Sequence, residues 1–202
     1  MKKRSVVLPA LMILCAALFI SVIPTEAEGA LYEDTIRLHI LAASDSEEDQ
    51  ALKLEIRDAL LKNFAEELSR SEGREDAEIK IREALPEIEE FVRGELLKRG
   101  YNYKVSATLG TEWYDTREYE SFSLPKGYYT SLKITLGEGS GKNWWCVMFP
   151  PLCLDAALEA APTDDGVKHY TDEEFTLISK KGYNVKFKLL EVVSDVFSRK
   201  TK

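Results

Sequence analysis

The order in which two kinds of hydrophobic periodicity follow one another constrains the fold of this chain more than any other feature. Residues 35–42 (TIRLHILA) alternate apolar and polar side chains, which predicts a β-strand with one polar face. Two long segments with apolar residues at helical spacing follow, and further alternating segments come after them. This order predicts a single α+β domain in which a strand and two helices precede a mostly antiparallel sheet, with the helices on one sheet face.

Apolar stripes at helical spacing define the two helices. The first follows capping residues at 44–46 and carries three carboxylates in its first turn. The second runs over about residues 76–99; Pro86 is expected to kink it or to start a new segment, and Gly100 ends it. The stripe residues expected in the core are Leu52, Ile56, Leu60, Phe64 and Leu68 in the first helix, and Ile81, Leu85, Ile88, Val92 and Leu96 in the second.

The second half of the chain is predicted to supply most of the sheet. We expect strands at residues 101–109, 112–122 and 128–136, with a turn at 125–127. The continuous apolar run at residues 144–149 predicts a buried central strand, which Pro150 and Pro151 must end. Residues 154–175 predict a loop-rich region or a short helix, and residues 183–197 predict a strand that passes into a helix and closes the domain.

The first 27 residues are typical of an export signal. Basic residues at positions 2–4 precede an apolar run at 6–23, and small residues follow at 25–27, where a signal peptidase would cut. About 18 apolar residues is also close to the minimum for a membrane span, so an uncleaved anchor is the alternative. In either case residues 28–202 form the globular domain and are expected to work outside the cytoplasm.

The charge of the chain argues against two classes of partner. The formal net charge is −8, and removal of residues 1–27 takes away three cations and Glu26, which leaves −10. Nucleic acids and anionic lipid surfaces both select clustered Lys and Arg, so we expect neither nucleic-acid binding nor lipid binding beyond the signal segment. With 45% hydrophobic residues, the chain is globular rather than disordered.

Motifs for catalysis or cofactor binding are weak. Residues 137–143 (GEGSGKN) lack the spacing of a phosphate-binding loop and predict a glycine-rich hairpin turn instead. The two histidines, His39 and His169, stand in no recognisable nucleophile or metal motif. We therefore expect no catalytic residues, no cofactor and no metal. Cys146 and Cys153 are expected either to form a disulfide outside the cytoplasm or to remain two buried thiols.

Two groups of residues are candidates for contact with a partner. Trp144 and Trp145 point to opposite faces if they lie in a strand, so both are core residues or one is exposed as a binding hot spot. A charged group at the first strand and early helix forms either a solvated face with a capping network or a partner surface. Its members are Arg37, His39, Asp45, Asp49, Lys53, Arg57 and Asp58.

Residues 36–60 and 114–153, which include the string NWWCVMFPPLC, strongly resemble the stage II sporulation protein R family. The resemblance implies export from the forespore into the space between forespore and mother cell. There the protein would activate a membrane-embedded aspartic protease, which cleaves the precursor of the sigma-E factor, without catalysis of its own. Arg117 and Tyr119 lie in the resembling segment and join the partner-binding candidates.

Two other functions stay open on the residues alone. An exported hydrolase would need a pocket in which a carboxylate and a hydroxyl converge on His39. A carbohydrate-binding module of the cell envelope would use an exposed Trp144 or Trp145 as a stacking platform.

Overall fold

The computed structural model describes residues 26–119, 122–150 and 170–179, together with residues 9, 11–13, 15 and 16. The elements from residue 26 onward, in chain order, are α1 (Glu26–Asp34), β1 (Ile36–Leu41), α2 (Glu47–Ser69), α3 (Arg74–Lys98), β2 (Val105–Tyr114), β3 (Arg117–Glu118), β4 (Ser123–Leu124), β5 (Gly127–Leu136), β6 (Asn143–Phe149) and α4 (Asp172–Ser179).

Four of these strands form one mixed sheet in the order β2-β5-β1-β6. β1 runs parallel to β5 and antiparallel to β6, and β2 pairs antiparallel with β5 along ten consecutive residue pairs. β3 and β4 form a separate two-stranded ribbon. Most of the pairings are antiparallel, and the predicted α+β class is confirmed.

The two long helices cover one face of this sheet, as predicted. The first four stripe residues of α2 are buried, while the side chain of Leu68 lies outside the described residues. Four stripe residues of α3 are buried, and Leu85 is partly buried against the same core. α3 is one helix through Pro86, so the expected new segment does not begin there. Both stripes pack on the β1 face that carries Ile36, Leu38 and Ile40.

Local hydrogen bonds define the helix ends. The Ser46 hydroxyl accepts a hydrogen bond from the amide of Asp49 at 3.2 Å, which makes Ser46 the N-cap of α2. At the end of α3, Gly100 has φ +86°, and the amides of Gly100 and Tyr101 donate to the carbonyls of Leu97 and Leu96. This Schellman arrangement requires a left-handed residue, which explains the glycine.

The other sheet face is also covered, so the prediction of helices on one face is wrong. α1 packs against β5 there, with the Tyr32 ring edge-on to Tyr129 at 5.0 Å between centroids. The hydroxyls of Thr35 and Tyr170 share a hydrogen bond of 2.9 Å, which joins α4 to the start of β1. Because this second layer exists, the face of β1 predicted to be polar is polar but buried.

Two strand predictions, for residues 101–109 and 112–122, need correction. Residues 105–114 form one strand, because β2 follows its long partner β5 without a break, and residues 101–104 lie outside it. β6 is buried at residues 146–149 as expected and pairs with β1. Residues 172–179 form α4, so the end of the predicted region 154–175 is a short helix. The prediction for residues 183–197 lies outside the described residues.

The glycine-rich turn at residues 137–143 is not a hairpin, because β1 lies between β5 and β6. The turn crosses the end of β1 and continues into β6 on its far side. A Cβ atom at Gly141 would lie 2.1 Å from the carbonyl oxygen of Ser44, so the crossing leaves no room for a side chain at this position.

Candidate functional site

Arg37 is a cation with no exposed surface on the second face of the sheet. Its Nε donates to the carbonyl of Cys146 at 3.1 Å and its Nη2 donates to the hydroxyl of Tyr119 at 2.6 Å. The guanidinium carbon lies 4.1 Å from the ring centroid of Tyr114 and 5.1 Å from that of Tyr129. Cation–π contacts and hydrogen bonds thus compensate for the lost hydration, while Nη1 has no hydrogen-bond partner among the described residues.

The tyrosines around Arg37 stay neutral. Burial raises the pKa of Tyr114, Tyr119 and Tyr129, and the nearby guanidinium opposes this rise without cancelling it. The three rings therefore present neutral π faces or a hydroxyl to the cation. This cluster joins β1 to β2, β5 and β6 and to the ribbon formed by β3 and β4, so its first role is to fix the sheet.

His39 is only 4% exposed and both of its ring nitrogens are engaged. Nδ1 lies 2.9 Å from a carboxylate oxygen of Glu112, and Nε2 lies 2.9 Å from Oδ1 of Asn143. The imidazole stacks on Trp145 with 3.7 Å between ring centroids. No ring nitrogen is left to accept a proton from a substrate. Ser131, which is hydrogen-bonded to Glu112, is buried and shares a hydrogen bond of 2.6 Å with the hydroxyl of Tyr114.

Glu112 connects His39 to Lys133. Lys133 donates to its other carboxylate oxygen at 2.8 Å. Burial by itself raises the pKa of Glu112, but the hydrogen bonds from Lys133 and His39 outweigh it and hold that pKa below its usual value. The charged carboxylate is therefore favoured in the folded protein.

We expect Glu112→Gln to weaken the fold by about 1 kcal/mol at pH 7, since the bonds from Lys133 and His39 lose their negatively charged acceptor. A depressed pKa contributes stability above the unfolded pKa of about 4.3, and this contribution is lost as pH falls through the lower folded value. Urea unfolding of both proteins at pH 7, 5 and 3.5 tests this. A difference of equal size at all three values would contradict it.

A second, separate group of polar residues lies at the start of α2. It holds the turn before α2 against the turn at residues 137–143. Asp45 accepts a hydrogen bond from the amide of Lys142 at 2.7 Å, and Lys53 donates to the carbonyl of Lys142 at 2.9 Å. Asp49 accepts from the hydroxyl of Tyr103 at 2.9 Å. Asp49 and Lys53 are buried. These contacts form a capping network, and a partner-binding role for Asp45 and Asp49 stays a prediction.

Arg57 belongs to a third group, on the helix face of the sheet. Its guanidinium carbon lies 5.0 Å from the ring centroid of Trp144, and its Nε donates to Asp58 at 2.7 Å. The predicted seven-residue charged group is therefore three groups. The first group, Arg37 and His39, is buried on the second sheet face. The second group lies between the turn before α2 and the turn at residues 137–143, and consists of Asp45, Asp49 and Lys53. The third group, Arg57 and Asp58, lies beside Trp144.

Trp144 and Trp145 point to opposite faces of β6, as predicted, and both are half-buried rather than core residues. Trp145 lies between His39 and Arg117, whose guanidinium carbon is 5.3 Å from the ring centroid. Tyr119 stacks on Phe122 at 4.4 Å in addition to its bond with Arg37. The candidates Arg117, Tyr119 and Trp145 therefore adjoin one cluster.

An aromatic pair that the sequence reasoning did not select is the most exposed one in the described structure. Trp113 and Tyr128 are 49% and 64% exposed, and their rings meet edge to face with centroids 5.0 Å apart. They are cross-strand partners at the end of β2 and the start of β5. The sequence did show an aromatic residue at an alternating position near the end of a predicted strand. Periodicity alone, however, does not predict whether such a side chain is exposed.

Two of the three cysteines lie among the described residues. Cys146 is disulfide-bonded and Cys15 is a free thiol, while the expected partner Cys153 lies outside the described residues. Most of the predicted signal also lies outside them. Among the helices that can be described, none combines the length and the apolar character needed to cross a bilayer. In the same part of the chain, no three His, Cys, Asp or Glu side chains group as metal ligands would.

Comparison with known proteins assigns this architecture to a family. The sequence model described as Stage II sporulation protein R (spore_II_R) matches residues 32–158, which include β1 to β6. Stage II sporulation protein R of Bacillus subtilis (strain 168) is 37% identical over 185 residues, which cover 82% of this chain and 83% of that protein. No solved structure matches. The resemblance noted in residues 36–60 and 114–153 is confirmed, and the chain belongs to the stage II sporulation protein R family.

Proposed function

We propose that the protein is an exported signal that binds a membrane-embedded aspartic protease and activates it to cleave the sigma-E precursor. Membership of the family gives the chain a role in sporulation. Our proposal adds a location to this role, namely the space between forespore and mother cell. It also adds a mode of action, in which the protein acts as a ligand without chemistry of its own.

One observation carries this proposal: the described side chains best suited to catalysis are bound to one another. His39 has both nitrogens engaged and a stacked ring, Glu112 bridges His39 and Lys133, and Arg37 is fully buried. Such a network fixes a shape but offers no free base or nucleophile to a substrate. The exposed pair Trp113 and Tyr128 offers a contact surface instead.

A ligand activates a receptor only through a difference in affinity. The protein must bind the active conformation of the protease more tightly than the inactive one, and the ratio of the two affinities limits the shift. A rigid, internally bonded domain suits this task, because little conformational entropy is lost when it docks.

Co-expression of the full chain with the protease and its sigma precursor, in a host that lacks all three, tests the proposal. We expect the cleaved sigma factor to accumulate only when the chain is present. A chain limited to residues 28–202, which stays in the cytosol, is the matched control and is expected to give no cleavage.

Two results would contradict the proposal. If a full chain that is exported and folded leaves the precursor intact, the protein does not activate this protease. If the cytosolic control gives as much cleavage as the full chain, the contact is not on the extracytoplasmic side.

A further inference from the structure

The sheet ends on one side in a long strand whose outer side has no described neighbour. This strand is β2, and among the described strands it pairs with β5 alone, over residues 105–114. The amide of Ala107 points away from β5, because it donates to the side chain of Glu89 at 2.7 Å. Since antiparallel pairing alternates, the backbone amides and carbonyls of Leu109, Thr111 and Trp113 also point outward.

These outward backbone groups have no hydrogen-bond partner among the described residues. Glu89 accepts a hydrogen bond from one outward amide near the start of the strand. The outward backbone groups of the following six residues have no such acceptor or donor among the described residues. Exposed edges in soluble proteins are normally blocked by Lys, Pro, a bulge or a short strand. β2 has ten residues, no Lys, no Pro and an unbroken register.

Apolar surface lies at the open end of this edge. Trp113 and Tyr128 project from the helix face of the sheet and are the two large aromatic side chains described as exposed near β2. A strand added beside β2 would place its own side chains next to Trp113 on that face. Main-chain hydrogen bonds supply affinity in this kind of pairing, and side-chain contacts supply specificity.

Charge distinguishes the possible occupants. The chain carries a formal net charge of −8, so two copies repel each other. The only charged residue in β2 is Glu112, and it is already bound to Lys133 and His39. An uncharged or basic segment of a different protein therefore fits the edge better than a second copy does.

We propose that β2 binds an extended, uncharged or basic segment of the activated partner protein as an additional strand, with an apolar side chain of that segment against Trp113 and Tyr128. This inference rests on the proposed function and names the surface through which it operates.

Thr111→Pro tests the proposal, because it removes an outward N–H and leaves the bonds to β5 intact. Proline is tolerated at edge positions whose N–H faces solvent, and the preceding Gly110 has no Cβ to clash with the ring. We expect the affinity of the purified protein for the detergent-solubilised protease to fall at least about tenfold, with a matching loss of cleavage in the co-expression assay. Thr111→Val keeps the N–H and is expected to stay within about twofold of the parent.

A side-chain variant decides the question if Thr111→Pro does not fold. The double variant Trp113→Ser, Tyr128→Ser lies on the surface, and we expect a comparable loss of affinity. Ile79→Ser and Leu97→Ser remove apolar residues of similar exposure on α3, at 50% and 56%, and are expected to bind normally. Hydrogen exchange should show fast amides at residues 109, 111 and 113 in the free protein and slow ones in the complex.

Each contrary result overturns the proposal for a stated reason. If folded Thr111→Pro activates the protease normally, β2 is not the docking strand, although the proposed function stands. If the parent protein does not activate the protease, the proposed function fails and this inference with it. A parent dimer that Thr111→Pro dissociates would make a second copy the occupant. Slow amides at 109, 111 and 113 in the free monomer would mean that this chain covers its own edge.

Discussion

Arg37→Ala is expected to lower the free energy of unfolding by about 4 kcal/mol, one of the two largest effects of a single substitution in this protein. The substitution empties a fully buried site and removes the donor to the carbonyl of Cys146 and to the hydroxyl of Tyr119. The rings of Tyr114 and Tyr129 lose the cation that lies against them. In a domain of this size the melting temperature should fall by roughly 10 °C.

Arg37→Met is the matched control, since methionine fills much of the same volume without a charge. Replacement of a buried charge by an apolar residue of similar size is often nearly neutral, and Nη1 of Arg37 has no partner to lose in the part of the chain that the structure describes. We expect less than half of the loss seen with alanine. Chemical denaturation of the three proteins measures the difference. Equal losses in both variants would show that volume contributes nothing, and an alanine loss below about 1 kcal/mol would contradict the argument.

Gly141→Ala is expected to be the second large effect, at about 3 kcal/mol. The new methyl carbon would lie 2.1 Å from the carbonyl oxygen of Ser44 and 2.9 Å from the side chain of Ala42. The turn must therefore move away from the end of β1, which weakens the bond from the Gly141 amide to the carbonyl of Ala42. Gly141 is not among the glycines with a positive φ, so the loss comes from close approach and not from backbone strain.

Gly94→Ala is the control for this substitution. A Cβ atom at Gly94 meets nothing within 4 Å, and the residue lies inside α3, where alanine is the better helix former. We expect a gain of about 1 kcal/mol. Thermal unfolding of both variants measures whether Gly141→Ala lowers the stability and Gly94→Ala raises it. If Gly141→Ala were as stable as the parent protein, the turn would not be held against β1 as described.

The periodic parts of the fold could be predicted from the sequence, because burial of one helix or strand face is a local pattern. The stripes of α2 and α3 and the end of α3 at Gly100 illustrate this. Sheet order could not be predicted, since no local pattern states that β1 separates β5 from β6. For that reason residues 137–143 were expected to form a hairpin, whereas their glycines serve a crossing.

The candidate site was predicted by residue type but not by location. Arg37 and His39 were expected on a polar face, and their burial depends on a layer formed by α1 and by residues far along the chain. Asp45 and Arg57 follow that group closely in the sequence, yet they bond elsewhere. Trp113 was missed because exposure is a property of the assembled sheet.

The central position of β1 also determines when the protein can fold. The strand lies near the start of the domain, but Arg37 bonds to a carbonyl 109 residues later, and both neighbours of β1 belong to the second half of the chain. A topology dominated by such distant contacts folds slowly, since a long loop must close before the contacts form. A partly synthesised chain therefore cannot complete its sheet until β6 has been made.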